Sequence, residues 1–185
     1  TGIAYAFTRL VDATGDTKYL TAAKEVLAFE SDRFNREENR WVEHTTRDHI
    51  SNDSWCYGRA GIVLARLRIK QIASSIIPEP SIQTVVTDID LDVTAATDQL
   101  CCGNAGAINT LLEAARTYDA PRYKQAATSA FTELLAKHDD RGLLQLNCHT
   151  PHRTNDALFQ GISGVGYTAA RLHAPDRVPD ILSFQ

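Results

Sequence analysis

Leu100-Cys101-Cys102-Gly103-Asn104-Ala105-Gly106 leads straight into a helical pattern over 104–118, and its Gly-x-x-Gly frame decides the fold. Related openings stand at Thr1-Gly2-Ile3-Ala4, Gly58-Arg59-Ala60-Gly61 and Gly161-Ile162-Ser163-Gly164. The second glycines (Gly2, Gly61, Gly106, Gly164) recur at intervals of 59, 45 and 58 residues, about the length of a helix pair with its loops. Glycine costs about 1 kcal/mol in a helix interior relative to alanine, so its reuse at helix starts predicts close backbone approach there.

Outward from these openings, apolar residues fall at helical spacing over 3–13, 17–31, 59–73, 81–98, 104–118, 121–137 and 162–173. Gly15-Asp16 ends the first segment, and Pro78 and Pro80 punctuate the gap before 81. Residues 32–54 are polar and read as a long loop. No segment shows strand alternation, so the expected class is all-α: helical hairpins arranged as an α/α barrel. Inner helices would run parallel and start at one end, which makes the residues before the glycine pairs converge. The opening residues read as the first turn of a packed helix, so the chain is expected to be part of a longer domain and only part of the full barrel.

The composition excludes several classes. A net charge of −4 gives no basic surface for nucleic acid, and no apolar run approaches the roughly 20 residues of a membrane span. The start lacks the basic-then-apolar pattern of a signal peptide. Four cysteines at 56, 101, 102 and 148 are too few and too unevenly placed for a disulfide scaffold, so reduced thiols in a cytoplasmic setting, or metal ligands, are expected.

Cys56, in Ser54-Trp55-Cys56-Tyr57-Gly58, and the pair Cys101-Cys102, in Leu100-Cys101-Cys102-Gly103-Asn104, stand at the same register, just before the first glycine of a pair. In the barrel, three thiols would meet at its mouth, and three protein ligands leave a tetrahedral zinc one open position, as in catalytic sites. Helix N-termini favour the thiolate. The spacing alone leaves a second reading open, because free cysteine is among the most buried residue types. A bridge between neighbours Cys101 and Cys102 would be strained.

Trp55-Cys56-Tyr57-Gly58-Arg59-Ala60-Gly61 resembles the W-C-[YH]-G-x-[PA]-G motif of the lanthionine synthetase C-like family. Leu100–Gly106 resembles its C-H-G-x-x-G motif, and Phe159–Tyr167 resembles the final inner helix of the class II synthetases. The resemblance runs in order along the chain and implies that residues 1–185 are the C-terminal part of a cyclase domain, preceded by the upstream part of the same synthetase. It implies zinc held by Cys56, Cys101 and Cys102, with Cys102 where the family usually has His. The substrate implied is a dehydrated precursor peptide. Its cysteine thiol, activated by zinc, would add to the β-carbon of dehydroalanine or dehydrobutyrine and close a thioether ring.

An acid must protonate the enolate left by that attack. The resemblance places a family His just upstream of Thr1 and a family Arg where this chain has Asn52. Asp53 and Tyr57 match their motif positions and are the candidate catalytic residues, although an aromatic beside a glycine turn is more often packing. Cys148, His149, His152, His44 and His49 read as solvated loop residues. Two alternatives keep much of this chemistry: a peptide-binding module with a structural zinc, which needs a fourth protein ligand such as Cys148 or His149, and a relative that adds glutathione. An α/α-barrel glycosidase would need two carboxylates across a cleft, and Asp53 is the acid placed in register for it.

Overall fold

The computed structural model describes residues 1–37, 39–41, 54–78, 82–87, 89, 97–141, 144–146 and 155–185. Seven α-helices are present among them: α1 (Gly2–Thr14), α2 (Lys18–Ser31), α3 (Arg59–Ala73), α4 (Ile82–Thr87), α5 (Asn104–Tyr118), α6 (Pro121–Arg141) and α7 (Ile162–His173). The expected all-α class holds, and α1, α3, α5 and α7 lie side by side in chain order, with α2 packed on α1 and α6 on α5.

The helices differ in how much of their circumference is apolar. Every residue of α5 from Asn104 to Ala114 is buried, as an inner helix enclosed on all sides requires. On α6 the buried positions Tyr123, Ala127, Ala130 and Leu134 recur at intervals of four, three and four, a single stripe laid on the inner layer. The main core joins α3 to α7 through Val63, Leu67, Ile108, Leu112 and Leu134, while Ala4, Ala23, Leu27 and Ile69 close a second core under α1 and α2. Gly15 ends α1 in the left-handed conformation (φ 70°), its N–H donating to the Val11 carbonyl at 2.8 Å.

The close approach expected at the glycine pairs is present at three of the four openings. A Cβ on Gly61, Gly106 or Gly164 would run into the carbonyl oxygen of the residue six positions earlier: Trp55, Leu100 or Leu158. Gly103 and Gly161 face the carbonyls of Thr97 and Asn155 in the same way. Gly2 has nothing within 4 Å. The chain therefore folds back over the starts of α3, α5 and α7, and their three N-caps share one geometry, with φ between −129° and −134°.

Two expectations change. Phe34–Asn35 pairs antiparallel with Arg40–Trp41 inside the segment read as loop, a hairpin too short to leave a two-residue alternation in the sequence. The helix expected over 81–98 is described as helix only at Ile82–Thr87, and Thr97 and Asp98 are not helical. Asp98 instead exchanges backbone and side-chain hydrogen bonds with Gln145, at 2.8 and 2.7 Å.

Gly106→Ala is expected to destabilise the fold by about 2–4 kcal/mol, because the obstructing atom is backbone and Trp55 Cβ lies 3.2 Å from the added methyl. Gly166, exposed in mid-helix with nothing within 4 Å, is the control, and Gly166→Ala should stabilise by about 0.5–1 kcal/mol. Thermal unfolding separates the two, at about 3 °C per kcal/mol for a chain of this size. A tolerated Gly106→Ala would remove the close-approach explanation of the repeat.

Candidate metal centre

Cys56, Cys101 and Phe159 occupy the same register, each two residues before the first glycine of its pair. Their backbones are laced together: Cys101 N–H donates to the Phe159 carbonyl at 2.8 Å, and Cys56 N–H donates to the Cys101 carbonyl at 3.2 Å. The Trp55 and Phe159 rings stack at 5.7 Å, tying the first of these loops to the third. Beneath them Leu64, Leu100, Ala105 and Leu182 are buried together. The three loops thus meet at one end of the inner helices, as the parallel arrangement predicted.

That convergence brings the cysteines together. Cys56 Sγ lies 3.1 Å from Cys102 Sγ, which lies 3.4 Å from Cys101 Sγ, and all three sulfurs fall within 4.8 Å of one another. None is in a disulfide; Cys56 is exposed, and Cys101 and Cys102 are half-buried. Burial pushes the Cys101 thiol far up, and its hydrogen bonds and charge interactions with Cys56 and Cys102 push in the same direction. The Cys102 thiol is also raised, first by burial and then by its bond to Cys56. Three thiolates this close repel one another, so the cluster holds its protons unless a cation takes their place. A tetrahedral zinc with bonds of about 2.3 Å sets sulfurs about 3.8 Å apart, a spacing that small side-chain shifts would reach. The donor set therefore fits a soft divalent metal, and Cys56, Cys101 and Cys102 are the group of possible ligands among the described residues.

Cys56 and Tyr57 open onto a cavity of about 1070 Å³ between α1, the start of α3 and residues Leu182–Phe184. Its walls are mainly apolar. Tyr57 is half exposed (50%) on this cavity rather than packed in the core, and it shares its register with Cys102. Asp53, Cys148, His149, His152, His44, His49 and Asn52 lie outside the described residues.

The register of Asp53 holds two further acids that sequence reasoning overlooked, Asp98 and Asp156, each five residues before a first glycine. Asp98 is buried (7%), accepts from the Asn104 side chain at 3.2 Å and from the Gln145 backbone at 2.7 Å, and so fastens its loop rather than facing the cavity. Also unforeseen is a buried ionic cluster. Arg68 on α3 lies 2.9 Å from Glu113 on α5 and 2.8 Å from Asp180, and Arg171 on α7 pairs with both acids. The Arg68–Glu113 contact is an ion pair without the alignment of a hydrogen bond. Ser183 completes the cluster, accepting from Arg68 Nε at 2.9 Å. Through it, the segment after α7 is fixed as one wall of the cavity. No pattern of hydrophobicity marks such a cluster, but the glycine repeat does: Arg68, Glu113 and Arg171 each stand seven residues after a second glycine.

Among the described residues no helix is long and apolar enough to cross a membrane. No curated protein matches this chain. The family model described as lanthionine synthetase C-like protein matches residues 1–183, and the chain belongs to that family.

Proposed function

We propose that Cys56, Cys101 and Cys102 hold a zinc ion and that the chain acts in lanthipeptide biosynthesis, as the C-terminal part of a class II cyclase domain closing thioether rings in a dehydrated precursor peptide. The observation that carries this is the cluster of three sulfurs, within 4.8 Å of one another, at the edge of a cavity wide enough for a peptide. Zinc bound there supplies the Lewis acidity that keeps an incoming thiol deprotonated near neutral pH, against an ordinary thiol pKa of about 8.5.

The chain's own residues do the rest. The loop backbones hold the sulfurs in place, and the apolar cavity takes the peptide and limits water around the alkene. A substrate thiol adds across the double bond of dehydroalanine or dehydrobutyrine: the C–S bond forms at the β-carbon and a proton reaches the α-carbon. Tyr57, on the cavity and without a hydrogen-bond partner among the described residues, is placed to give that proton. Asp53 remains the second candidate, although the acid at its register on the next repeat, Asp98, serves its loop. Addition of a small thiol such as glutathione would use the same groups, and the substrate's identity separates the two.

Metal analysis of the purified chain should find about one zinc, lost in Cys101→Ala and kept in Cys102→His, since imidazole is a normal zinc ligand. Full retention in Cys101→Ala overturns the ligand assignment. A fourth protein ligand in the metal's absorption spectrum would make the zinc structural.

Ring closure leaves mass unchanged, so cyclisation is best read as loss of thiols open to maleimide, with the chain assayed alone and together with the upstream part of the synthetase. Tyr57→Phe should lower the rate about 100-fold at unchanged zinc content, the scale of a lost general acid. An unchanged rate assigns the proton to another group.

A further inference from the structure

Cys102 sits between the other two thiols of the cluster. Its sulfur is 3.1 Å from Cys56 Sγ and 3.4 Å from Cys101 Sγ. A disulfide bond is about 2.05 Å long, so the Cys56 and Cys102 sulfurs need to close by only about 1 Å to be bonded. The loops that carry them are already fastened side by side. The Cys56 N–H donates to the Cys101 carbonyl at 3.2 Å, and the Trp55 Cβ packs over Gly106 in the first turn of α5. Cys101 and Cys102 are the poorer pair, because consecutive Cα atoms are about 3.8 Å apart and ordinary disulfides span about 4.4–6.8 Å.

We propose that Cys56 and Cys102 are an oxidative modification site: hydrogen peroxide joins them in a disulfide, and that bond withdraws two of the three thiols from the metal position. The loss of metal rests on the zinc reading of the cluster, whereas the bond itself requires only the thiols. Access follows from the proposed reaction, because a centre that a peptide thiol enters also admits a peroxide. One sulfur of the pair attacks a peroxide oxygen; the O–O bond breaks, the second oxygen leaves as water, and the sulfur becomes a sulfenic acid. The other sulfur attacks it, the S–S bond forms, and the S–O bond breaks to release a second water with the remaining thiol proton. Two thiols and one peroxide thus give one disulfide and two waters, the sulfurs losing the two electrons that the peroxide oxygens gain.

Of the cluster, Cys101 alone then keeps a free thiol, and one thiolate is short of the three protein ligands that a catalytic zinc requires. A dithiol reductant attacks the bond through a mixed disulfide and restores both thiols, so the change is reversible. Cys102 is the residue that makes the cluster sensitive. An imidazole at this position would serve equally as a zinc ligand but has no sulfur to offer Cys56. The third thiol therefore adds a route by which oxidation empties the site.

The test uses the complete synthetase rather than residues 1–185 alone, treated with hydrogen peroxide after the reductant is removed. Remaining thiols are capped with iodoacetamide, the unreduced digest is mapped by mass spectrometry, and released zinc is read with a colour-forming chelator. Peptides carrying Cys56 and Cys102 should appear linked, lighter than their sum by two hydrogens, and the link should rise in step with free zinc. Dithiothreitol should remove the link and restore zinc binding. Cys102→His should keep its zinc and show no link to Cys56 at the dose that fully converts the wild type. Cys101→Ala, which would have no zinc to release, should still form the link. A bridge between Cys101 and Cys102, oxidation of Cys56 to the sulfinic acid without a link, or equal loss of zinc from Cys102→His overturns the proposal. A protein that binds no zinc yet forms the link refutes the metal reading alone, and a zinc-loaded protein that never forms it refutes the modification alone.

Discussion

A carbonyl oxygen lying where a side chain would begin is the constraint on which this structure depends. At Gly61, Gly106 and Gly164 the chain folds back so tightly over the first turn of an inner helix that no Cβ fits. That tightness makes the loops interchangeable in shape, and three loops of one shape on side-by-side helices bring equivalent residues into contact. Cys56, Cys101 and Phe159 are joined by backbone hydrogen bonds because they are the same residue of three repeats. The thiols are neighbours through backbone geometry, not through any attraction between sulfurs.

The second consequence of the repeat lies deeper. Seven residues along each inner helix is about two turns, so the same face presents Arg68, Glu113 and Arg171 to a common interior point. Buried ions are tolerated only when each finds a partner, and removing one partner of such a pair costs about 3–5 kcal/mol. Three helices supply two cations and one anion; Asp180 supplies the fourth charge from the segment after α7. The requirement for neutrality in the interior therefore pins Leu182–Phe184 as a cavity wall, with the Tyr5 hydroxyl donating to the Ser183 carbonyl at 2.9 Å as a second tether, from α1. Charge balance in the core shapes the surface at which chemistry is proposed.

Much of this was legible in the sequence because it rests on periodicity and on glycine. The spacing of Gly61, Gly106 and Gly164 gave the inner helices, their common end and the meeting of Cys56 with Cys101 and Cys102. What escaped rests on partners far apart in sequence. The helix expected to reach 98 failed because Asp98 bonds to Gln145, and nothing local to 81–98 announces that contact. The ionic cluster was missed because Arg68 and Glu113 look like surface charges until the helices that bury them are assembled. The acids at 98 and 156 were in plain view, and laying the repeats side by side would have found them.

The choice of cysteine at position 102 carries a chemical argument of its own. On the proposed reading, three thiolates around a divalent zinc give a unit of net charge about −1, where two thiolates and a neutral imidazole would give about zero. Extra negative charge weakens the metal as a Lewis acid and leaves sulfur ligands richer in electrons. For hydrolysis, which asks the metal to polarise a carbonyl or acidify water, that is a poor exchange. For addition to an activated alkene it is a good one, because a thiol needs far less help than water to lose its proton and its reactivity grows with electron density on sulfur. The burial that pushes the Cys101 and Cys102 thiols up adds to the selection, since only a cation strong enough to displace their protons would occupy the cluster. The half-buried sulfurs would secure the metal while exposed Cys56 faces the cavity, so the ligand set divides holding from access along the line between core and cleft.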